Sequence, residues 1–327
     1  MVILTAPCIL NRVGEGIRAM DVRQLRYFVE VVQAKSFTKA AERVRVAQPA
    51  LGFQVRKLED ELGSALLVRH SRGVRTTEAG DALLKHAHAI LRQIELARQE
   101  VIDLAGPPRG PLALGVTPTA SALLATRIVQ YCGEAFPGIA LNLVEGLSEE
   151  VMKWLDEGRI DLGFTYNPTA IKGIESKPLL IEDLFYISSD ADDGFDGTEK
   201  VALARLRNLP LILPSRPHGT RMLVERAAEE RGIVIQVSCE VDSVATVREL
   251  VEAGIGATIL PLGAVQDAVR SGRLHAARIA RPRISRTLHL AWSSRSAQTN
   301  AALVVCDIID RLAEERIQSG GGFWRAP

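Results

Sequence analysis

Gln48, Gln54, Arg56 and Lys57 crowd one short stretch of the chain, and Arg69, Arg72 and Arg75 follow at three-residue intervals. A glutamine amide can both donate to and accept from a base edge. Guanidinium and ammonium groups can meet phosphate oxygens or guanine. From Met20 to Thr77 the chain holds 11 lysines and arginines against six acids, although the whole chain carries a formal net charge of only +1 at pH 7. A basic segment on an otherwise acidic chain suits contact with a phosphate backbone. No grouping of comparable weight points to catalysis. The six histidines are scattered, with His86 and His88 on different faces of one helical stretch. Cys8, Cys132, Cys239 and Cys306 form no C-x-x-C pair. A glycine-rich nucleotide loop, a P-loop and a convincing Ser-His-Asp order are all missing from the sequence. The expectation is therefore no catalytic residue, no metal, no cofactor, and reduced thiols in a cytoplasmic protein.

The elements that must present these side chains are legible from periodicity. Leu25, Phe28, Val29 and Val32 space a helix from Val22 to Ala34. A second, short helix follows Ser36-Phe37-Thr38, with Ala40, Ala41 and Val44 as its packing face. Ser36 and Thr38 join the candidate DNA-binding residues there. After a turn from Arg45 to Gln48, Pro49 opens a third helix that runs to Leu62 and stops at Gly63. Leu51, Val55, Leu58 and Leu62 are expected to face the core. Pro49, Phe53, Arg56 and Lys57 take the opposite face, flanked by Gln48, Gly52 and Gln54. Leu66 to Thr77 reads as a two-stranded wing carrying Arg69, Arg72 and Arg75. Three helices and a wing make a winged helix-turn-helix, a module that lays one helix in the DNA major groove.

Thr77 then caps a long helix from Glu78 to about Leu104. Its stripe of Leu83, Leu84, Ala87, Ile90, Leu91, Ile94, Ala97, Val101 and Leu104 is near-heptad and needs a partner, either a second copy or the chain's own domain. Ala105 to Pro111 is a stiff, proline-rich hinge. Beyond Gly110, strands alternate with helices, the pattern of an α/β fold. Expected strands cover Leu112–Val116, Ile139–Glu145, Ile160–Tyr166, Leu211–Leu213, Ile233–Val241, Ala257–Pro261 and Thr287–Ser293. Helices are expected over Ser121–Glu134, Ser148–Glu157, Thr220–Arg231, Val244–Ala253 and Ala297–Arg316. Ligands of such sheets bind beyond the carboxyl ends of strands, near helix N-termini. Thr117, Thr119, Ser148, Tyr166, Ser215, His218, Thr220 and Ser243 occupy those places, where most also serve as helix caps. Helix N-termini favour anions. The expected ligand is thus a small organic anion, a carboxylate, with His218, Arg216 or Arg221 supplying charge. Arg281, Arg283 and Arg286 read as a solvated basic run.

Residues 20–80 resemble the N-terminal domain of LysR-type transcriptional regulators. The resemblance rests on Leu25-Arg26-Tyr27-Phe28, Ser36-Phe37-Thr38-Lys39-Ala40-Ala41, Ala47-Gln48-Pro49-Ala50-Leu51, Leu58-Glu59-Asp60-Glu61-Leu62-Gly63 and Arg75-Thr76-Thr77-Glu78-Ala79-Gly80. In architecture it extends from Met20 to about Arg316, and the chain looks most like the nitrogen-assimilation-control branch. The resemblance implies a winged helix-turn-helix over 20–77, a dimerisation linker helix over 78–106, and a two-lobed, periplasmic-binding-protein-like effector domain over 107–316. It implies promoter DNA, a small-molecule effector and RNA polymerase as partners, and a homodimer or homotetramer. Gly52-Phe53 departs from the family, which has serine and a polar or basic residue there. The departure puts the family's usual contacts at these positions in doubt. Residues 1–19 read as an extension, or as the product of a start assigned upstream of Met20. Residues 317–327 read as a flexible tail. Two other classes remain on the sequence: an enzyme built on the α/β lobes with an appended DNA-binding domain, and a transport-type solute binder. No segment reads as membrane-spanning.

Overall fold

The computed structural model describes residues 20–70, 73–103, 106–189, 200–207, 209–295, 298–320 and 322–327. Arg72, Leu104, Ala105, Ala297 and the 1–19 extension lie outside the described residues. Two compact units divide the chain, one ending at Glu95 and the other running from Leu96 to Pro327.

In the first unit, α1 (Val22–Ala34) starts at Asp21, whose carboxylate accepts the Arg23 N–H while Gln24 Oε1 accepts the Asp21 N–H at 2.8 Å. Ser36 caps α2 (Phe37–Val44), and Arg45 closes it in a left-handed conformation, φ 56°. α3 (Gln48–Leu62) begins one residue earlier than expected and ends at Gly63, φ 64°. Phe28, Leu51, Val55 and Leu58 are buried among these helices. Leu62, expected in the core, is exposed as the last residue of α3, outside the clusters that bury Leu51, Val55 and Leu58.

The wing pairs β1 (Leu67–His70) with β2 (Gly73–Thr76), Val68 opposite Arg75 and Arg69 opposite Val74. Glu59 fastens it to α3, its Oε1 accepting the N–H groups of Leu66 at 2.8 Å and Leu67 at 3.1 Å. Thr77 caps α4 (Glu78–Asp103) through the Gly80 N–H at 3.0 Å and donates its hydroxyl to Ala65 O at 2.6 Å. This turn requires glycine at 80, where a Cβ would lie 2.1 Å from Leu66 O. Leu83, Leu84, Ala87, Ile90 and Leu91 pack on Leu25, Phe28 and Leu58. The first half of the α4 stripe thus serves its own module, while Ile94 and Val101 farther along are exposed.

Among the described residues, the second unit carries an 11-stranded mixed sheet. In its first lobe β3 (Gly110–Val116) lies parallel between β4 (Ile139–Glu145) and β5 (Leu162–Tyr166). The segment after β3 is α5 (Pro118–Ala120), a π-turn (Ser121–Ala125) and α6 (Thr126–Ala135), where one continuous helix was expected. α7 (Ser148–Asp156) follows β4. A long strand, β6 (Ile174–Ser188), then crosses between the lobes. Its passage through Pro178 and a charged run hid it from periodicity. The proline sits beside a bulge opposite Leu288 and His289.

The second lobe adds β7 (Lys200–Ala202), β8 (Leu211–Leu213), α8 (Gly219–Glu229), β9 (Val237–Glu240), α9 (Val244–Glu252), β10 (Ala257–Pro261), α10 (Gln266–Arg270) and β11 (His275–Arg281). β10 and β11 pair antiparallel with β6, and β8 lies parallel between β10 and β9. β12 (Ser285–Ser293) returns between β5 and β6, and α11 (Asn300–Ser319) covers the first lobe.

The tail is not loose. β13 (Trp324–Arg325) pairs with β6, Trp324 is 2% exposed, and Phe323 packs against the cores of both lobes. Burial of two aromatic rings outweighs the flexibility that glycines 320–322 suggest.

Candidate functional site: a DNA-reading helix and an interlobe cavity

The first site is the outer face of α3. Gln48, Pro49, Phe53, Arg56 and Lys57 are exposed, and Phe53 is 60% exposed, an unusual state for an aromatic ring. Lys57 has a weak helical partner in Glu61 at 3.8 Å. Gln54 and Ser36 are half-buried, and Thr38 is exposed. Gly52, expected beside the outer face, is buried, since it follows Leu51 on the inner side of the helix and lies under the Gln48 amide. A direct backbone approach to DNA at Gly52 is therefore not available. On the wing Arg75 is exposed, and the Arg69 guanidinium lies 4.2 Å over the Phe37 ring, which fixes its position at the edge of α2.

The second site is a cavity of about 560 Å³ in the second unit, within the usual range for small organic ligands. Thr117, Thr119, Ser148, Tyr166, His218 and Thr220 all line it. Ser215 and Ser243 do not. The Ser215 hydroxyl donates to Asp242 Oδ1 at 2.6 Å, and Ser243 Oγ accepts the Thr246 N–H at 3.3 Å to cap α9. Apolar walls come from Leu147, Met152, Ile171, Met222, Leu223 and Val244. Ser148, Gly219 and Val244 are the first residues of α7, α8 and α9, so three helix N-termini meet at the cavity. The hydroxyls of Thr117 and Thr165 are buried in its wall with no hydrogen-bond partner among the described residues. Buried hydroxyls without partners are costly, and a polar ligand group would satisfy them.

The buried cationic side chain at the cavity, paired there with Glu182, is a residue assigned to the solvated run. Arg286 is 4% exposed and lines the cavity. Its Nε donates to Glu182 Oε1 at 2.8 Å, its two terminal nitrogens to Thr220 Oγ1 at 3.0 Å and Thr119 Oγ1 at 2.7 Å, and its central carbon lies 3.6 Å from the Tyr166 ring centre. Burial works against its charge, but Tyr166 and Glu182 outweigh burial and raise its pKa. Burial likewise raises the Tyr166 hydroxyl well above its usual range.

Arg216 and Arg221 turn away, both pairing with Glu225, and Arg221 also reaches Pro214 O at 3.2 Å. Arg281 and Arg283 are exposed, as expected of the basic run. Arg283 nevertheless binds the buried carboxylate of Asp183 through Nε at 2.9 Å, on the other side of β6 from Glu182. His218 is held below its usual pKa, first by burial and then by Arg286, and its Nδ1 accepts the Thr220 N–H at 3.2 Å.

Sequence reasoning missed Glu182 and Arg286 because β6 was not read as a strand. The available signal was alternation, since Arg286 shares its face of β12 with Leu288 and Leu290, all three buried.

Comparison with known families agrees with this architecture. Residues 22–81 match the bacterial regulatory helix-turn-helix protein of the lysR family, and residues 105–313 match the LysR substrate binding domain. The chain belongs to the LysR family of transcriptional regulators: it is a DNA-binding regulator with an effector-binding domain. It is 33% identical over 291 residues to the nitrogen assimilation regulatory protein nac of Klebsiella aerogenes, covering 89% of this chain and 94% of that one. The nac protein of Escherichia coli (strain K12) is 32% identical over the same length and coverage. These relatives are regulators, not enzymes. Among solved structures, a full-length OxyR variant from Pseudomonas aeruginosa superposes with a TM-score of 0.72 at 25% identity, covering 94% of this chain and 99% of that one. Full-length CbnR complexed with its target DNA gives 0.65 at 25% identity, covering 89% and 99%. No described helix is long and apolar enough to cross a membrane.

Proposed function

We propose that this regulator reads promoter DNA with Gln48, Pro49, Phe53, Gln54, Arg56 and Lys57 of α3. Ser36, Thr38, Arg69, Arg72 and Arg75 act as backbone contacts. It works as a homodimer or homotetramer whose output reaches RNA polymerase. The exposed α3 face, with Phe53 bare beside Arg56 and Lys57, carries the reading. Phe53 suits an apolar contact with a thymine methyl, while the buried Gly52 is left out of the contacts. The relative crystallised as a DNA complex, CbnR, supports the same use of this module. Genome-wide immunoprecipitation of the tagged protein supplies the sites, and DNA titration on the enriched fragments tests the residues. Arg56→Ala should weaken binding across all sequences and reduce the log–log salt slope by about 0.9 if it meets a phosphate. Phe53→Arg should change site preference. Unchanged preference would remove Phe53 from readout.

The effector is a small, largely apolar organic acid held among Thr117, Thr119, Ser148, Tyr166, His218 and Thr220. Three helix N-termini at the cavity favour its carboxylate, and Arg286 does not supply the counter-charge because Glu182 already neutralises it. Thr117 and Thr165 supply hydrogen bonds. Calorimetric titration of candidate acids against their amides tests this. The acid should bind at least about tenfold tighter, worth about 1.4 kcal/mol, and equal affinity would overturn the assignment.

A further inference from the structure

Arg286 touches both lobes at once. It projects from β12, where it sits in register with Glu182 of β6, the strand that runs on into the second lobe. Its Nη2 donates to Thr119 Oγ1 at 2.7 Å, in the first-lobe helix α5. Its Nη1 donates to Thr220 Oγ1 at 3.0 Å, in the second-lobe helix α8. Thr119 and Thr220 are 8% and 2% exposed, so water does not readily replace either bond. Glu182, 3% exposed, holds the guanidinium in place through Nε at 2.8 Å and Nη2 at 2.6 Å. A guanidinium is a rigid planar fork. It cannot follow one threonine through a lobe movement without losing its alignment to the other.

We propose that Arg286 is an interlobe latch, a positioning residue that fixes the spacing of the two lobes through Thr119 and Thr220. The inference rests on the cavity being the effector site. Drawing Arg286 out toward a ligand would strand a buried Glu182 carboxylate, which is strongly unfavourable. The guanidinium therefore stays, and the threonines are the movable parts. Thr119 is followed closely by the π-turn Ser121–Ala125, an irregular segment of the kind that gathers at functional sites. Its hydroxyl also donates to Tyr166 Oη, 3.4 Å away, while accepting from Arg286. A ligand whose carboxylate draws either threonine out of reach of Arg286 unties one lobe. The lobe spacing then shifts by as much as the ligand prefers the untied state.

Amide hydrogen exchange of the full-length protein tests the latch without any ligand. In Thr220→Val, exchange should rise roughly fivefold, the worth of one net hydrogen bond. The rise should appear at residues 219–223 and, across the cavity, at 118–125. Thr119→Val should give the reciprocal pattern, and the double variant should add little to either single one. Arg286→Lys keeps a cation opposite Glu182 but cannot fork to both threonines, so it should match the double variant. Changes confined to the substituted lobe, or wild-type exchange in Arg286→Lys, would overturn the latch. Either result would leave the effector assignment standing, because that assignment is judged by the acid and amide titrations.

Discussion

His218 shows how one side chain couples cavity chemistry to stability. Burial and the nearby Arg286 lower its pKa, outweighing Asp242, and its Nδ1 must stay unprotonated to accept the Thr220 N–H. A lowered folded-state pKa means the unfolded chain binds the proton more readily. The stability His218 contributes is thus fully present above its ordinary value of 6.5 and is lost as pH falls through the lower folded value. Acidification from about pH 7 toward about pH 5 should lower the melting temperature of the wild type more than that of His218→Asn, which keeps a capping acceptor without titrating. Parallel declines in the two proteins would contradict this. A second residue-scale prediction concerns Gly52. A Cβ there meets only Gln48 Nε2 at 3.7 Å, an ordinary contact. Gly52→Ala should stabilise α3 by up to about 1 kcal/mol, read as a higher urea midpoint for the DNA-binding unit. A fall in that midpoint would mean the helix needs glycine for a reason its packing does not show.

At the scale of elements, tight local geometry decides which sequence signals bind. The Thr77-Glu78-Ala79-Gly80 turn joins wing to α4, and its glycine is set by backbone contact with Leu66 O rather than by left-handed conformation. Alanine there must push backbone aside, in contrast to position 52. The C-terminal strand is a second case. Trp324 lies under Arg316, whose guanidinium is 5.8 Å from its ring centre, and against Gly320, where a Cβ would meet the indole at 2.3 Å. Trp324→Ala should destabilise the effector domain by about 3–5 kcal/mol, the usual cost of emptying a large aromatic site. Differential scanning calorimetry would show the effector-domain transition moving down. A transition left in place would mean β13 contributes nothing to the fold.

For the whole molecule, the α4 stripe is covered over only part of its length. Leu83 to Leu91 pack on the helix-turn-helix, whereas Ile94 and Val101 remain 43% and 69% exposed. Exposed aliphatic side chains continuing a near-heptad seam suit a second copy of the same helix. Ile94→Arg with Val101→Arg should shift sedimentation toward the single chain and weaken binding to two half-sites far more than to one. An unchanged sedimentation coefficient would mean that this seam does not join two copies.

The sequence alone determined the elements whose physics is local. Helices α1 to α4 follow from apolar spacing, from Pro49 at a helix start, from the cap at Thr77 and from the stop at Gly63. The cavity threonines, Ser148, Tyr166 and His218 were legible because they stand where strands hand over to helices. Tertiary structure alone decided what depends on distant partners. Arg286 and Glu182 are separated by 104 residues and meet only through the register of β6 and β12, which turns an apparent surface arginine into a buried one. The fate of Leu62, Gly52, Ser215 and the tail was set the same way. Whether a side chain is buried depends on which element comes to cover it, and no local spacing records that.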